Sequence, residues 1–212
     1  MGAVRGDAVA VADAQGLAAV SMRRVAGDVG SGTASLYRYI ANRDELLELM
    51  VDAVQGEHPP SPPTGDGRAD LAAVAHGLRA DLLRHPWLSG ELAGRPSLGP
   101  NSLRRSETAL GAAVALTSDM TLAARVVGTV RAYVLGSVAA QQAARQAQQR
   151  SGLTDEQWQR SVGPYITAVL EAGDHPMLAR RVLEAEDADP DVDFAFGLAS
   201  VLDGLGAQLA RG

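Results

Sequence analysis

The chain contains no cysteine and no lysine. Without cysteine it can build neither a disulfide framework nor a thiolate metal site. All 19 basic residues are arginine, a usage that points to GC-rich coding rather than to chemistry, so no arginine is singled out for its type alone. Aromatic residues make up only 4% of the chain, while alanine and leucine abound. That balance suits helices packed on helices, not a sheet rich in β-branched and aromatic side chains. No segment shows period-2 alternation and no internal repeat is present. No apolar run approaches the roughly 18 residues that span a bilayer, and no basic stretch followed by an apolar one opens the chain. A soluble cytoplasmic protein is therefore expected, with no membrane partner. The net charge of −6 excludes a surface that binds nucleic acid everywhere. It leaves room for a local basic patch, because exposed charges act over a Debye length of ~10 Å at 0.1 M salt.

What is present is helical punctuation. A first helix from about Val4 ends at Gly16, a natural left-handed stop. Ser21 can cap a second helix whose Val25 and Val29 share a face, and Gly30 ends it. A third helix is expected from Thr33 to Ile40. Asn42 with Glu45 resembles a capping box opening a fourth, whose Leu46, Leu47, Met50, Val51 and Val54 form an apolar stripe. Four of the ten prolines then crowd into 59–63. This divides the chain into 1–54 (with a connecting helix at about 43–54), a Pro/Gly-rich linker at 55–68, and a helical region at 69–212. Further helices are expected at about 69–84, 101–116, 121–150 and 191–210. Thr154 opens a short piece, and Pro164 is placed as the first residue of another. The expected class is all-α: a small N-terminal three-helix domain joined by a fourth helix to a larger helical bundle.

The stretch DVGSGTASLYRYIANRDELL raises the functional question. A phosphate-binding loop needs a strand before its glycines and a lysine after them, and neither is available. The glycines at 30 and 32 instead read as the corner between two helices. On the third helix Thr33, Leu36 and Ile40 fall within about 60° of one another and face inward. Ala34, Ser35, Arg38 and Tyr39 face away, with Tyr37 at the flank. A short helix held by two apolar anchors thus offers small, hydroxyl, aromatic and guanidinium groups to the outside, a combination suited to the DNA major groove. Arg23, Arg24, Arg38 and Arg43 add positive charge nearby.

The segment GLAAVSMRRVAGDVGSGTASLYRYIANRDELL resembles the helix-turn-helix domain of the TetR family of transcriptional regulators. The segments ELAGRPSLGPNSL, YVLGSV and FAFGLASVLDGLGAQL extend the resemblance towards the tetracycline-repressor-like subgroup. The resemblance implies DNA contacts from Ser21, Met22 and Arg23 and from Thr33, Ala34, Ser35, Tyr37, Arg38 and Tyr39. It also places Arg43 where a phosphate-binding lysine is usual, with Arg23 as a candidate bidentate partner of guanine. Only Met1 to Ala3 precede the first helix, so contacts from a basic arm are not expected, and Asp7 stands where alanine is usual. The resemblance further implies a homodimer built through the long helix from about 121 and the last helix, double-stranded operator DNA as partner, and a small-molecule effector pocket. Its candidate lining is Val74, Leu78, Trp87, Leu92, Arg95, Arg104, Glu107, Val127 and Tyr133, mostly apolar, which suits a hydrophobic or amphipathic effector.

The remaining polar residues give no catalytic constellation. His85 and His175 precede prolines at helix ends and read as termination signals, and His58 lies in the linker. His76, on the helix before Trp87, reads as a partly buried structural residue, with a pocket-lining role as the alternative. No histidine or carboxylate pair has metal-ligand spacing. The turn Glu91, Leu92, Ala93 lacks the histidine that a tetracycline–magnesium site would need. The acidic run from Glu184 to Asp193 has no calcium-loop spacing. No cofactor, no metal and no enzyme activity are expected. The expected function is a ligand-responsive regulator, most simply a repressor released from a pseudo-palindromic operator by a small hydrophobic effector. Residues 1–55 hold five arginines against seven carboxylates, a net charge of −2. That keeps a second reading open, a helical small-molecule-binding protein with a vestigial DNA-binding domain.

Overall fold

The computed structural model describes residues 2–28, 30, 33–94, 97–187 and 189–211. In chain order the helices are α1 (Gly2–Gln15), α2 (Met22–Asp28), α3 (Thr33–Leu36), α4 (Arg43–Gln55), α5 (Gly67–Arg84), α6 (Leu88–Ala93), α7 (Pro100–Val114), α8 (Met120–Ser151), α9 (Asp155–Glu171), α10 (Pro176–Glu184) and α11 (Pro190–Leu209). A 3-10 turn, Leu17–Ala19, links α1 to α2, and no strand occurs among the described residues. The chain divides into two compact units, one of Met1–Ala139 with Leu198–Gly212 and the other of Ala140–Gly197. The expected linker at 55–68 lies inside the first unit rather than at its edge.

The first three helices form around an apolar cluster that includes Ala8 and Ala12 of α1, Val25 of α2, Leu36 and Ile40 at and after α3, and Leu46 and Met50 of α4, all buried. Gly16 stops α1 with φ 79°, its N–H donating to the Ala12 carbonyl at 2.8 Å. Val29, expected beside Val25, lies outside the described residues, as does Gly32. Gly30, at φ 63°, turns the chain after α2.

The third helix is shorter than expected. It ends at Leu36, whose carbonyl accepts from both Tyr39 and Ile40, and 37–39 wind as turns. The cause lies just downstream, where Asn42 is fully extended (φ −157°) to cap α4, so the chain must leave helical geometry before it. Asn42 Oδ1 accepts the Glu45 N–H at 2.9 Å, while Glu45 reaches back to the Ala41 N–H at 2.6 Å. This is a capping box displaced by one residue. The far end of α4 is largely enclosed, since Val51, Asp52, Val54 and Gln55 are all buried.

Beyond the prolines, Asp66 caps α5 through the N–H groups of Arg68 and Ala69, and α5 packs along α7. Gly67 is required there, because a Cβ would lie 2.6 Å from the Ala112 carbonyl oxygen. In the second unit, Thr154 and Gln157 form a full capping box. Pro164 lies within α9 instead of opening a new helix, and Pro176 opens α10, a helix the sequence pattern did not predict.

Two helices, α8 and α11, are long and apolar enough to cross a membrane by length and composition, contrary to the sequence expectation. Each buries only one stripe, such as Ala123, Val126, Val130, Val134 and Val138 of α8. Only 28% and 17% of their most apolar stretches are covered by the described residues.

Candidate functional site

The first candidate surface is built on α2 and α3. Ser21 opens α2, its Oγ accepting the Arg24 N–H at 3.2 Å, and Arg24 pairs with Asp28 at 2.8 Å. Arg23 is exposed between them. With Leu36 and Ile40 buried, Ala34, Tyr37, Arg38 and Tyr39 stand out from the same short segment, the two tyrosines 53% and 64% exposed. The side chains of Thr33 and Ser35 lie outside the described residues. A short exposed element bearing phenols and a guanidinium group can bond phosphates and base edges in a groove.

One expected contact needs correction. Met22 is buried, 7% exposed, and anchors α2 to the core, so it does not reach outward. Met22 shares one face of α2 with buried Val25 and Ala26, three and four residues on, which the family pattern alone did not reveal. Arg43 is exposed but committed, because its Nη2 donates to the Leu17 carbonyl at 2.9 Å and its Nε to that of Val20 at 3.2 Å. It ties the start of α4 to the chain entering α2, leaving the rest of its donors for phosphate.

The second candidate site is a cavity of about 430 Å³ between α5, α7, α8 and the Pro-rich segment 58–64. Val74, Leu78, Leu92 and Val127, all expected, line it. Trp87, Arg104, Glu107 and Tyr133 do not, and Arg95 lies outside the described residues. The reason is helical phase. On α7 the wall is made by Ser102, Arg105, Ser106, Thr108, Ala109 and Ala112, and at about 100° per residue Glu107 falls on the far side and Arg104 beyond its edge. Tyr133 is displaced in the same way from Val127, Val130 and Arg131 of α8. Trp87 is buried elsewhere, its indole N–H donating to Asp13 at 2.7 Å.

Sequence reasoning missed the groups that join the two sites. Asp52 of α4, 4% exposed, accepts the backbone N–H groups of Asn101 (2.8 Å) and Ser102 (3.0 Å), so a carboxylate of α4 caps α7. Gly99 must be glycine there, since a Cβ would collide with that carboxylate. In return Arg105 of α7 donates to the Gln55 carbonyl at 2.7 Å and the His58 carbonyl at 3.0 Å, and lies 2.7 Å from buried Asp81. His85, expected only as a helix stop, is buried with Nδ1 2.8 Å from Asp13 and Nε2 3.3 Å from Glu57. It holds the end of α1 and the residues after α4 against α5. Asp70 bonds Thr64 through both its backbone N–H and its hydroxyl, pinning the Pro-rich segment over the cavity. The backbone N–H, then the hydroxyl, hold its carboxyl below the ordinary aspartate range. The one sequence signal for these links was a carboxylate at position 52 next to the apolar stripe of α4. Read as a lone amphipathic helix, it faces solvent.

Comparison with known proteins gives consistent matches. A family model for the tetracycline-repressor-like C-terminal domain matches residues 59–209. The chain is 40% identical over 209 residues to the HTH-type transcriptional repressor DrrR1 of Streptomyces coeruleorubidus, covering 96% of this chain and 76% of that protein. It is 34% identical to an HTH-type transcriptional regulator of Saccharopolyspora erythraea, over 94% and 81% of the two chains. Among solved structures it is similar to the Streptomyces coelicolor TetR family protein ActR in complex with actinorhodin, with a TM-score of 0.78 and 29% identity over 97% of this chain and 96% of that one.

Proposed function

Because the chain belongs to the TetR family of transcriptional regulators, we propose that it reads a pseudo-palindromic operator as a homodimer and is released by a small amphipathic effector. It is a ligand-responsive DNA-binding repressor and not an enzyme. The observation that carries the reading is the pairing of one exposed segment, Ala34 to Tyr39, with one cavity, joined through α4. Arg23, Ser21, Ala34, Tyr37, Arg38 and Tyr39 are the proposed DNA contacts from the described surface, with Thr33 and Ser35 added by family position and Arg43 contributing to phosphate binding. The uncovered apolar sides of α8 and α11 are the proposed dimer contact, and a two-fold pairing sets the two reading segments about one turn of DNA, ~34 Å, apart. ActR is solved with actinorhodin, and the size and apolar lining of this cavity suit an organic effector of that general kind. A cytoplasmic location follows from binding chromosomal DNA.

Release works through geometry. An effector that moves α7 moves α4, because each helix caps or clamps the other, and α4 carries the reading segment. A coupling of ~1–3 kcal/mol gives a 5–150-fold change in operator affinity. The test is an electrophoretic mobility shift with the DNA upstream of the protein's own gene. We expect a sequence-specific shift that Arg23→Ala with Tyr37→Phe abolishes. Binding that is salt-sensitive but indifferent to sequence, or unaffected by the double change, defeats the reading.

A further inference from the structure

The cavity wall holds two guanidinium groups in different circumstances. Arg105 is neutralised by Asp81 and its donors are spent on backbone carbonyls. Arg131 of α8, half-buried, donates to the Leu92 carbonyl, and among the described residues no carboxylate lies within ion-pairing distance of it. Asp70 is the sole carboxylate of the described lining, and both of its oxygens are occupied by Thr64. A cation set in a mostly apolar wall and bonded to a peptide carbonyl without an ion-pair partner among the described residues gains strongly from an anion, because a charge-assisted and bidentate bond replaces an imperfectly compensated charge. The rest of the described wall is mostly aliphatic, with prolines and Val74, Leu78, Val127 and Val130, interrupted by Gln55, His58 and several serine and threonine hydroxyls, and it contains no Phe, Tyr or Trp side chain. Such a wall recognises a ligand body by apolar area and shape rather than by ring stacking.

We infer that the cavity takes an amphipathic organic anion, whose carboxylate, sulfonate or ionised phenol is received by Arg131 while its apolar body lies against Val74, Leu78 and Val127. The inference rests on the regulator reading only in naming this ligand the effector, and binding can be measured without DNA. The experiment titrates the full-length protein with 8-anilinonaphthalene-1-sulfonate and, in parallel, with N-phenyl-1-naphthylamine, which has the same rings without the sulfonate. The anionic dye should bind more tightly than the neutral one. Arg131→Met should weaken the anionic dye about 10–100-fold and leave the neutral dye unchanged, with Arg131→Lys restoring part of the loss. Val74→Trp, which fills the cavity, should remove both. Equal affinity of the two dyes, an Arg131→Met protein that binds the anion normally or loses both dyes together, or dye retention by Val74→Trp would each overturn the inference. Dodecanoate and 1-naphthoate, added as competitors, separate an acyl-chain acid from an aromatic one, and displacement by dodecanol as strong as by dodecanoate counts against an anion site. Failure of the operator shift alone would remove the regulator reading and leave this binding result standing.

Discussion

Replacing Asp52 with alanine tests the joint between the DNA-reading end and the cavity. Its carboxylate caps α7 through the N–H groups of Asn101 and Ser102 and also accepts the Asn101 amide at 3.1 Å. Loss of an N-terminal cap costs about 1 kcal/mol. Ser102 is only 8% exposed, so water cannot replace its partner, and the orphaned N–H adds about 1–3 kcal/mol. The expected loss is therefore about 2–4 kcal/mol. For a chain of this size each kcal/mol moves the thermal midpoint by about 2–4 °C, so a fall of about 5–15 °C is expected. Asp52→Asn keeps one carbonyl acceptor and should lose about half as much. Operator affinity should fall with the Ala change even at temperatures where the protein remains folded, because α4 is no longer held in register with α7. The assay is circular-dichroism melting beside the mobility shift. An alanine variant melting within about 2 °C of the parent, or an asparagine variant no better than alanine, refutes the argument.

Other outcomes follow from the same geometry. Arg105→Met leaves Asp81, which is 2% exposed, with only the exposed His58 ring at 3.4 Å, and should destabilise by about 3 kcal/mol. Adding Asp81→Asn should recover part of that, and strictly additive losses in the double-mutant cycle would contradict the pairing. The depressed pKa of Asp70 means that its stabilising contribution is complete above its unfolded value of ~3.9 and is lost as the pH falls through the lower folded value. Asp70→Asn should therefore flatten the dependence of the thermal midpoint on pH below about 4, and an unchanged slope would contradict it.

Local signals carried the sequence reading furthest where local chemistry decides structure. Glycine stops, the Asn42 and Thr154 caps and the proline cluster fixed most element boundaries, and the exposure of Tyr37, Arg38 and Tyr39 followed from the phase of Leu36 and Ile40. The reading failed where a distant element intervened. Helical phase alone could not say which side of α7 meets the cavity, so Arg104 and Glu107 were expected in place of Ser102 and Arg105. Met22 looked free because its covering neighbours are remote in sequence. The third helix was drawn too long because its apolar spacing continues to Ile40 while the cap at Asn42 ends it early. Asp52, Asp81 and His85 are polar residues sealed by tertiary contact, and no period in a single chain marks a buried acceptor. Pro164 shows the opposite limit, a helix breaker carried within an exposed helix.

The seam formed by Asp13, His85, Trp87 and Glu57 has a consequence for protein engineering. Its members come from both sides of the proline cluster, so the headpiece is not a detachable cassette. A chimera that grafts residues 1–55 onto a relative's body carries away Asp13 and leaves Glu57, His85 and Trp87 behind. Unless the recipient supplies matching groups, such a graft trades a satisfied polar cluster for an open wound in its interior.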